Sequence, residues 1–159
     1  MDHFNPQESR NFKLRYWYDD NGNGANPTAP IFIYICGEYT CQPPSKRGRS
    51  FPEVVAKENK AVFFVLEHRY YGQSQPFPDW STKNLKYLTI DNALADIALF
   101  LTKQQENLMV KTKGARRKVI TIGGSYPGAL SAWFRYKYPH IADGAWASSA
   151  VILAIEDMH

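Results

Sequence analysis

The sequence predicts an α/β fold, a mainly parallel sheet with helices on both faces. Two observations carry this. Apolar runs of strand length, at Ile31 to Cys36, Ala61 to Leu66 and Val119 to Ile122, alternate with longer segments of helical spacing. The runs are also apolar at nearly every position rather than at every second one, which a strand tolerates only when both its faces are covered.

Residues 2–10 are polar and belong to the surface. Phe12, Leu14, Tyr16 and Tyr18 alternate with Lys13, Arg15 and Trp17, which gives a half-buried strand over 12–18. Asp19 to Pro27 contains Asn-Gly twice and is turn-rich. A short Asn-Gly loop favours a hairpin and cannot make a crossover, so strand 12–18 should run antiparallel to the core. Pro30 to Cys36 suits a central strand, ended by Gly37-Glu38-Tyr39-Thr40-Cys41 and a polar loop to Arg49. Phe51 to Lys60 has helical spacing, with Ser50 as its N-cap. The strand at 61–67 is ended by Glu67-His68-Arg69-Tyr70-Tyr71-Gly72 and a Pro-rich loop from Gln73 to Thr82. Asp91 to Asn107 forms the longest helix, with Leu94, Ile97, Ala98, Leu101 and Leu108 as its apolar stripe. Two more strands lie near 118–123 and 144–149, separated by helical spacing from Ala129 towards His140.

A chain of 159 residues suits one domain with a sizeable core, and 44% hydrophobic residues make it globular. Much of the net charge of +4 is local, in Lys111, Lys113, Arg116, Arg117 and Lys118. No aromatic residues interleave with that run, so it reads as a solvated loop and not as a nucleic-acid surface. No apolar run reaches the length of a membrane span. The polar start, Met1-Asp2-His3-Phe4, lacks the apolar region of a signal peptide. Cys36 and Cys41 fit either a local disulfide or two buried thiols. His3, His68, His140 and His159 show no ligand spacing around them, so metal binding is not predicted, and nothing else in the sequence implies a cofactor.

The chemistry concentrates in Lys118 to Phe134. A β-branched strand stops at Gly123-Gly124-Ser125 and a helix follows, the context that turns a serine into a nucleophile elbow. The sharp turn pushes the serine Oγ above the sheet, and the N–H of Tyr126 at the helix start is placed to bind an oxyanion. A strict G-x-S-x-G would need glycine at 127, where this chain has proline. Proline is tolerated in a first helical turn, and it should push Tyr126 away from the helical region. Gly37-Glu38-Tyr39, Glu67-His68-Arg69 and Gly124-Ser125-Tyr126 all fall at the carboxyl ends of predicted strands, where parallel sheets bind ligands.

Together, Glu67-His68-Arg69-Tyr70-Tyr71-Gly72-Gln73-Ser74, Gly123 to Gly128, Asp2-His3-Phe4-Asn5 and Cys36-Gly37-Glu38 closely resemble the S28 serine peptidases. These are the lysosomal Pro-X carboxypeptidases, the dipeptidyl-peptidase II type enzymes, the thymus-specific serine protease and their relatives. The resemblance implies an α/β-hydrolase fold with a helical cap, a Ser-Asp-His triad and exopeptidase action on peptides next to proline. It further implies a lysosomal, vacuolar or secreted location and a homodimer in the full-length family. Matched to its motifs, Ser125 is the nucleophile, Tyr126 gives one oxyanion N–H, and Glu38 or Tyr39 gives the second. The family's Asp and His follow the serine, beyond a cap, so 1–159 reads as the N-terminal part of the domain, without cap and later strands and inactive alone. Asp157 and His159 lie before any such strands and are not read as the missing pair. His68 reads as structural, with Glu67 and Arg69 pairing beside it, and His140 as a helix-end residue. Two other readings compete: a different α/β-hydrolase, such as an esterase or lipase, and a catalytically silent binding chain.

Overall fold

In the computed structural model, which describes residues 1–44, 50–153 and 155–156, each apolar run forms a strand at its predicted place. Among the described residues five strands form one sheet: β1 (Tyr16–Asp19), β2 (Ile31–Ile35), β3 (Val62–Leu66), β4 (Val119–Gly124) and β5 (Gly144–Ser148). Their spatial order is β1-β3-β2-β4-β5, parallel throughout except for β1. The helices are α1 (Phe51–Glu58), α2 (Thr82–Leu85), α3 (Ile90–Thr112) and α4 (Tyr126–Lys137). Sequence periodicity did not mark α2, a single turn inside the Pro-rich loop.

Strand alternation sorts the core into two layers. Ile31, Ile33, Ile35, Val62, Phe64 and Leu66 face α3 and α4 and pack with Leu94, Ile97, Leu101, Leu130 and Phe134. Phe32, Phe63, Val65 and Ile122 face the other way, towards Ala56 of α1. Each large side chain buried in this way contributes about 1.5–3 kcal/mol relative to exposure. Helix α1 starts where Ser50 predicts, and the Glu53 carboxylate accepts the Ser50 N–H at 2.9 Å.

Strand β1 is antiparallel as expected, but it is shorter and its partner differs. It pairs with β3, from Tyr16 opposite Leu66 to Asp19 opposite Phe63, so the Asn-Gly loop passes beyond β3 to reach β2 and makes no hairpin. The physical reason lies at Arg15, whose carbonyl accepts the Glu67 N–H at 3.0 Å and whose guanidinium pairs with the Glu67 carboxylate. Phe12 leaves the strand to lie under the Arg69 guanidinium, 5.5 Å from its ring centroid.

The basic run sits at the amino-terminal end of the strands. Asp143 pairs with Arg116 at 2.9 Å and Lys118 at 3.2 Å and accepts the Val119 N–H at 2.9 Å. Partial burial opposes the charge, but these donors prevail and hold the Asp143 carboxyl down at about 2. Arg117 is only 2% exposed and donates to the carbonyls of Gly24 at 3.1 Å and Ala29 at 3.5 Å. Its main chain is gripped at both ends by the Gln105 side chain.

Strand order also locates the crevice. From β2 the chain crosses over α1 to β3 on one side, then over α3 to β4 on the other. The segments leaving β2 and β4 therefore diverge to opposite faces, which makes their carboxyl ends the switch point where such sheets hold ligands.

Candidate active site

Three segments meet at that end of the sheet. The first is the elbow. Ser125 has φ 60° and ψ −128°, the left-handed side of backbone space that a serine enters at a cost of about 1–3 kcal/mol. Its side chain is exposed. The turn is held by the Ser125 N–H donating to Ser148 O at 2.9 Å and by Ser125 O accepting the Ala129 N–H at 3.1 Å. Helix α4 doubles back so closely that a Cβ on Gly123 would stand 2.1 Å from Pro127 O, and one on Gly128 would stand 2.8 Å from Ser148 O. No side chain fits at either position, which is why glycine stands at 123 and 128, whereas a Cβ on Gly124 would meet only Ser148 O at 4.0 Å.

Helix α4 opens at Tyr126, three residues before the helical spacing predicts, so Pro127 has not displaced Tyr126 from the helix. The close docking of α4 against Gly123 outweighs the preference of a pre-proline residue for extended backbone. As the first helical residue, Tyr126 has an N–H with no carbonyl a turn behind it.

The second segment is the loop after β2. Cys36 and Cys41 form a disulfide, Cα atoms 6.0 Å apart, which resolves the alternatives their spacing leaves open. Between them Gly37 lies against the elbow: a Cβ on it would stand 2.7 Å from Pro127 Cγ. Pro127 thus fills space that Gly37 leaves empty. The Tyr39 N–H donates to Gly37 O at 2.9 Å, whereas Glu38 is exposed at the loop tip.

The third segment, Glu67 to Gly72, differs from its sequence reading. Glu67 and Arg69 do not pair with each other. Glu67 is 1% exposed and turns to Arg15, and it also accepts the N–H groups of Cys41 (3.1 Å) and Gln73 (3.0 Å) and the hydroxyl of Ser74 (2.8 Å). Arg69, equally buried, pairs with Asp96 of α3 through Nε at 2.7 Å and Nη2 at 2.9 Å. It also donates to the carbonyls of Tyr87 (2.6 Å) and Met1 (3.1 Å). Past Leu66 the chain has left the strand, so the two side chains no longer share a face. Asp96 is held further by His3 Nε2 at 2.6 Å, and although burial opposes it, His3 and Arg69 keep its carboxyl below the usual range. Arg15, Asp96 and His3 brace this segment, pairings that the sequence reading missed. Asp96 carried a signal, a carboxylate within the apolar stripe of α3, and His3 stood in the opening motif.

His68 lies between these pairs and is hydrogen-bonded at both ring nitrogens, Nδ1 to Arg69 O at 2.7 Å and Nε2 to Tyr126 Oη at 3.0 Å. That bears out its structural reading. Burial depresses its pKa, so the ring is held neutral. Burial, together with the nearby Glu38 and Tyr71, pushes the Tyr126 phenol up to about 12. His140 is exposed beyond the end of α4, and Asp157 and His159 lie outside the described residues. Among the described residues no side chain is hydrogen-bonded to Ser125 Oγ, and no group of three or more His, Cys, Asp or Glu could hold a metal ion. Among them, too, no helix is long and apolar enough to cross a membrane.

The arrangement offers an exposed serine on a strained turn with the first N–H of a helix next to it, parts from which acyl transfer is built. Comparison with known proteins agrees. The chain is 43% identical to the probable serine protease EDA2 of Arabidopsis thaliana, over 98% of this chain and 32% of that protein. It is 38% identical to the lysosomal Pro-X carboxypeptidase of Bos taurus, over 99% of this chain and 31% of that protein. It thus spans about a third of the length of the curated relatives it matches. Among solved structures it resembles the acetyl xylan esterase of Aspergillus awamori, with a TM-score of 0.58 at 16% identity over 92% of this chain and 52% of the other, a likeness of α/β-hydrolase fold. The model of the serine carboxypeptidase S28 family matches residues 1–159 throughout, and the chain belongs to that family.

Proposed function

We propose that residues 1–159 form the nucleophile-bearing part of a serine exopeptidase that cleaves peptides next to proline. The observation that carries this reading is Ser125, exposed at φ 60° directly before the first N–H of α4, which has no carbonyl a turn behind it. Ser125 Oγ attacks the scissile carbonyl carbon, and its proton passes to a histidine that an aspartate orients. The N–H groups of Tyr126 and Glu38 hold the tetrahedral oxyanion. The Tyr39 N–H is already engaged by Gly37 O, which favours Glu38 as the second donor. Collapse expels the amine, which takes the proton, and water then hydrolyses the acyl-enzyme.

The histidine and aspartate belong, on this reading, to the two thirds of the relatives' length that this chain does not span, so residues 1–159 alone are inactive. The lysosomal, vacuolar or secreted location belongs to the same proposal. The Cys36–Cys41 disulfide supports it, since such bonds persist in oxidising compartments.

The test compares residues 1–159 alone with residues 1–159 joined to the portion of the Arabidopsis relative that lies beyond the matched region. The fusion should hydrolyse a proline-containing peptide in preference to a simple ester. Ser125→Ala should lower its turnover on the order of 10³–10⁶-fold. Turnover by the short chain, or turnover of the fusion that survives Ser125→Ala, would refute the reading. Preference for the ester would assign the fold to esterase chemistry instead.

A further inference from the structure

We propose that His68 is a positioning residue for this reaction: through Nε2 it anchors the Tyr126 side chain and thereby aims the Tyr126 N–H at the oxyanion. The inference rests on the proposed function and concerns the same site.

The bonding pattern fixes the chemistry of the ring. Arg69 O can only accept, so Nδ1 at 2.7 Å must carry the proton. A neutral imidazole then has a bare Nε2, which accepts from the Tyr126 hydroxyl at 3.0 Å. With both nitrogens engaged and the residue 5% exposed, His68 is not available as the base. Its rings are also confined by contact: Tyr71 packs edge-on at 5.5 Å between centroids, and the Tyr126 ring lies at 5.5 Å on a 60° tilt. The carbonyl that sets the tautomer belongs to Arg69, itself pinned by Asp96, Tyr87 and Met1. The anchor is therefore rigid back to α3.

Tyr126 needs such an anchor more than most oxyanion donors. It follows a residue at positive φ, and as the residue before a proline it holds a helical conformation that its position disfavours. Its N–H has no intrahelical partner to steady it. The side-chain bond ties the start of α4 to the carboxyl end of β3, two strands away across β2. Because oxyanion stabilisation depends on donors lying within a few tenths of an ångström of the right place, a loosened Tyr126 would lower the rate of the chemical step rather than weaken ground-state binding.

Two variants and their combination test this in the fusion described above. Tyr126→Phe removes one oxygen and keeps the ring, and His68→Gln keeps an acceptor-bearing side chain without the fixed ring. Each should lower kcat about 10–30-fold with KM changed less than about threefold, since full loss of a donor costs about 10²–10³-fold. The double variant should be no slower than the slower single one, because both break the same link. In the 159-residue chain itself, nitrogen NMR should show His68 protonated at Nδ1 and bare at Nε2, and Tyr126→Phe should move both the Nε2 resonance and the amide resonance of residue 126. Parental kcat in both single variants, multiplying losses in the double, or a proton on Nε2 would each overturn the proposal. Should Ser125→Ala leave turnover intact, the proposed function falls, and the NMR result alone then decides the His68–Tyr126 link.

Discussion

Two buried arginines stand at opposite ends of the sheet and are treated differently. Arg69, at the carboxyl end, is 1% exposed; its Nε and Nη2 meet a carboxylate, and its Nη1 and Nη2 meet two carbonyls, so all three nitrogens are engaged. Arg117, at the amino end, is 2% exposed but reaches only carbonyls, and its Nε has no partner among the described residues. Burial accordingly lowers the Arg117 pKa, although it remains a cation. The difference teaches where this fold needs fixed geometry. Carbonyls are enough to fasten a loop, whereas the end that carries Ser125 is held by charges that fit in one arrangement.

Breaking the pair at the carboxyl end should have the largest effect. Arg69→Met leaves Asp96 buried with His3 alone, and should cost about 3–5 kcal/mol of stability, read from urea denaturation midpoints. Arg117→Met loses two carbonyl contacts but also removes an unpaired buried charge, so its cost should be about 1–2 kcal/mol. Equal costs would remove the contrast between the two ends.

The smallest effect sharpens the comparison through pH. Asp96 and Asp143 have lowered folded-state pKa values, so their contributions are complete above about pH 4 and are lost only as pH falls through those lowered values. His68 is the opposite kind of group, a base whose folded-state pKa is depressed by burial. Below about pH 6.5 the unfolded chain takes up a proton that folded His68 resists, so stability falls as the medium is acidified. Denaturation midpoints should decline from pH 7.5 to pH 5, and His68→Gln should flatten that decline. An unchanged slope in the variant would show that the ring is not held neutral.

Much of this architecture was legible in the chain. Apolar runs place β2, β3 and β4 to within a residue or two because fully buried strands leave few other choices. The elbow was legible because its signals are local: glycine permits a turn and a close approach that a Cβ would block, and proline fixes φ at the start of a helix. What escaped was pairing at long range. Glu67 finds Arg15 and Arg69 finds Asp96, and nothing near either residue names its partner. The neighbour of β1 was hidden for the same reason: a turn-rich loop tells which way the chain reverses but not which strand it passes.

The contact between Gly37 and Pro127 bears on how such chains are recognised. Because the proline ring occupies the space a Cβ at 37 would need, the two positions are sterically coupled. A relative with a side chain at 37 must give up the ring at 127, whereas one with glycine at 127 is released from the constraint. A strict G-x-S-x-G pattern passes over this chain because it reads position 127 without position 37.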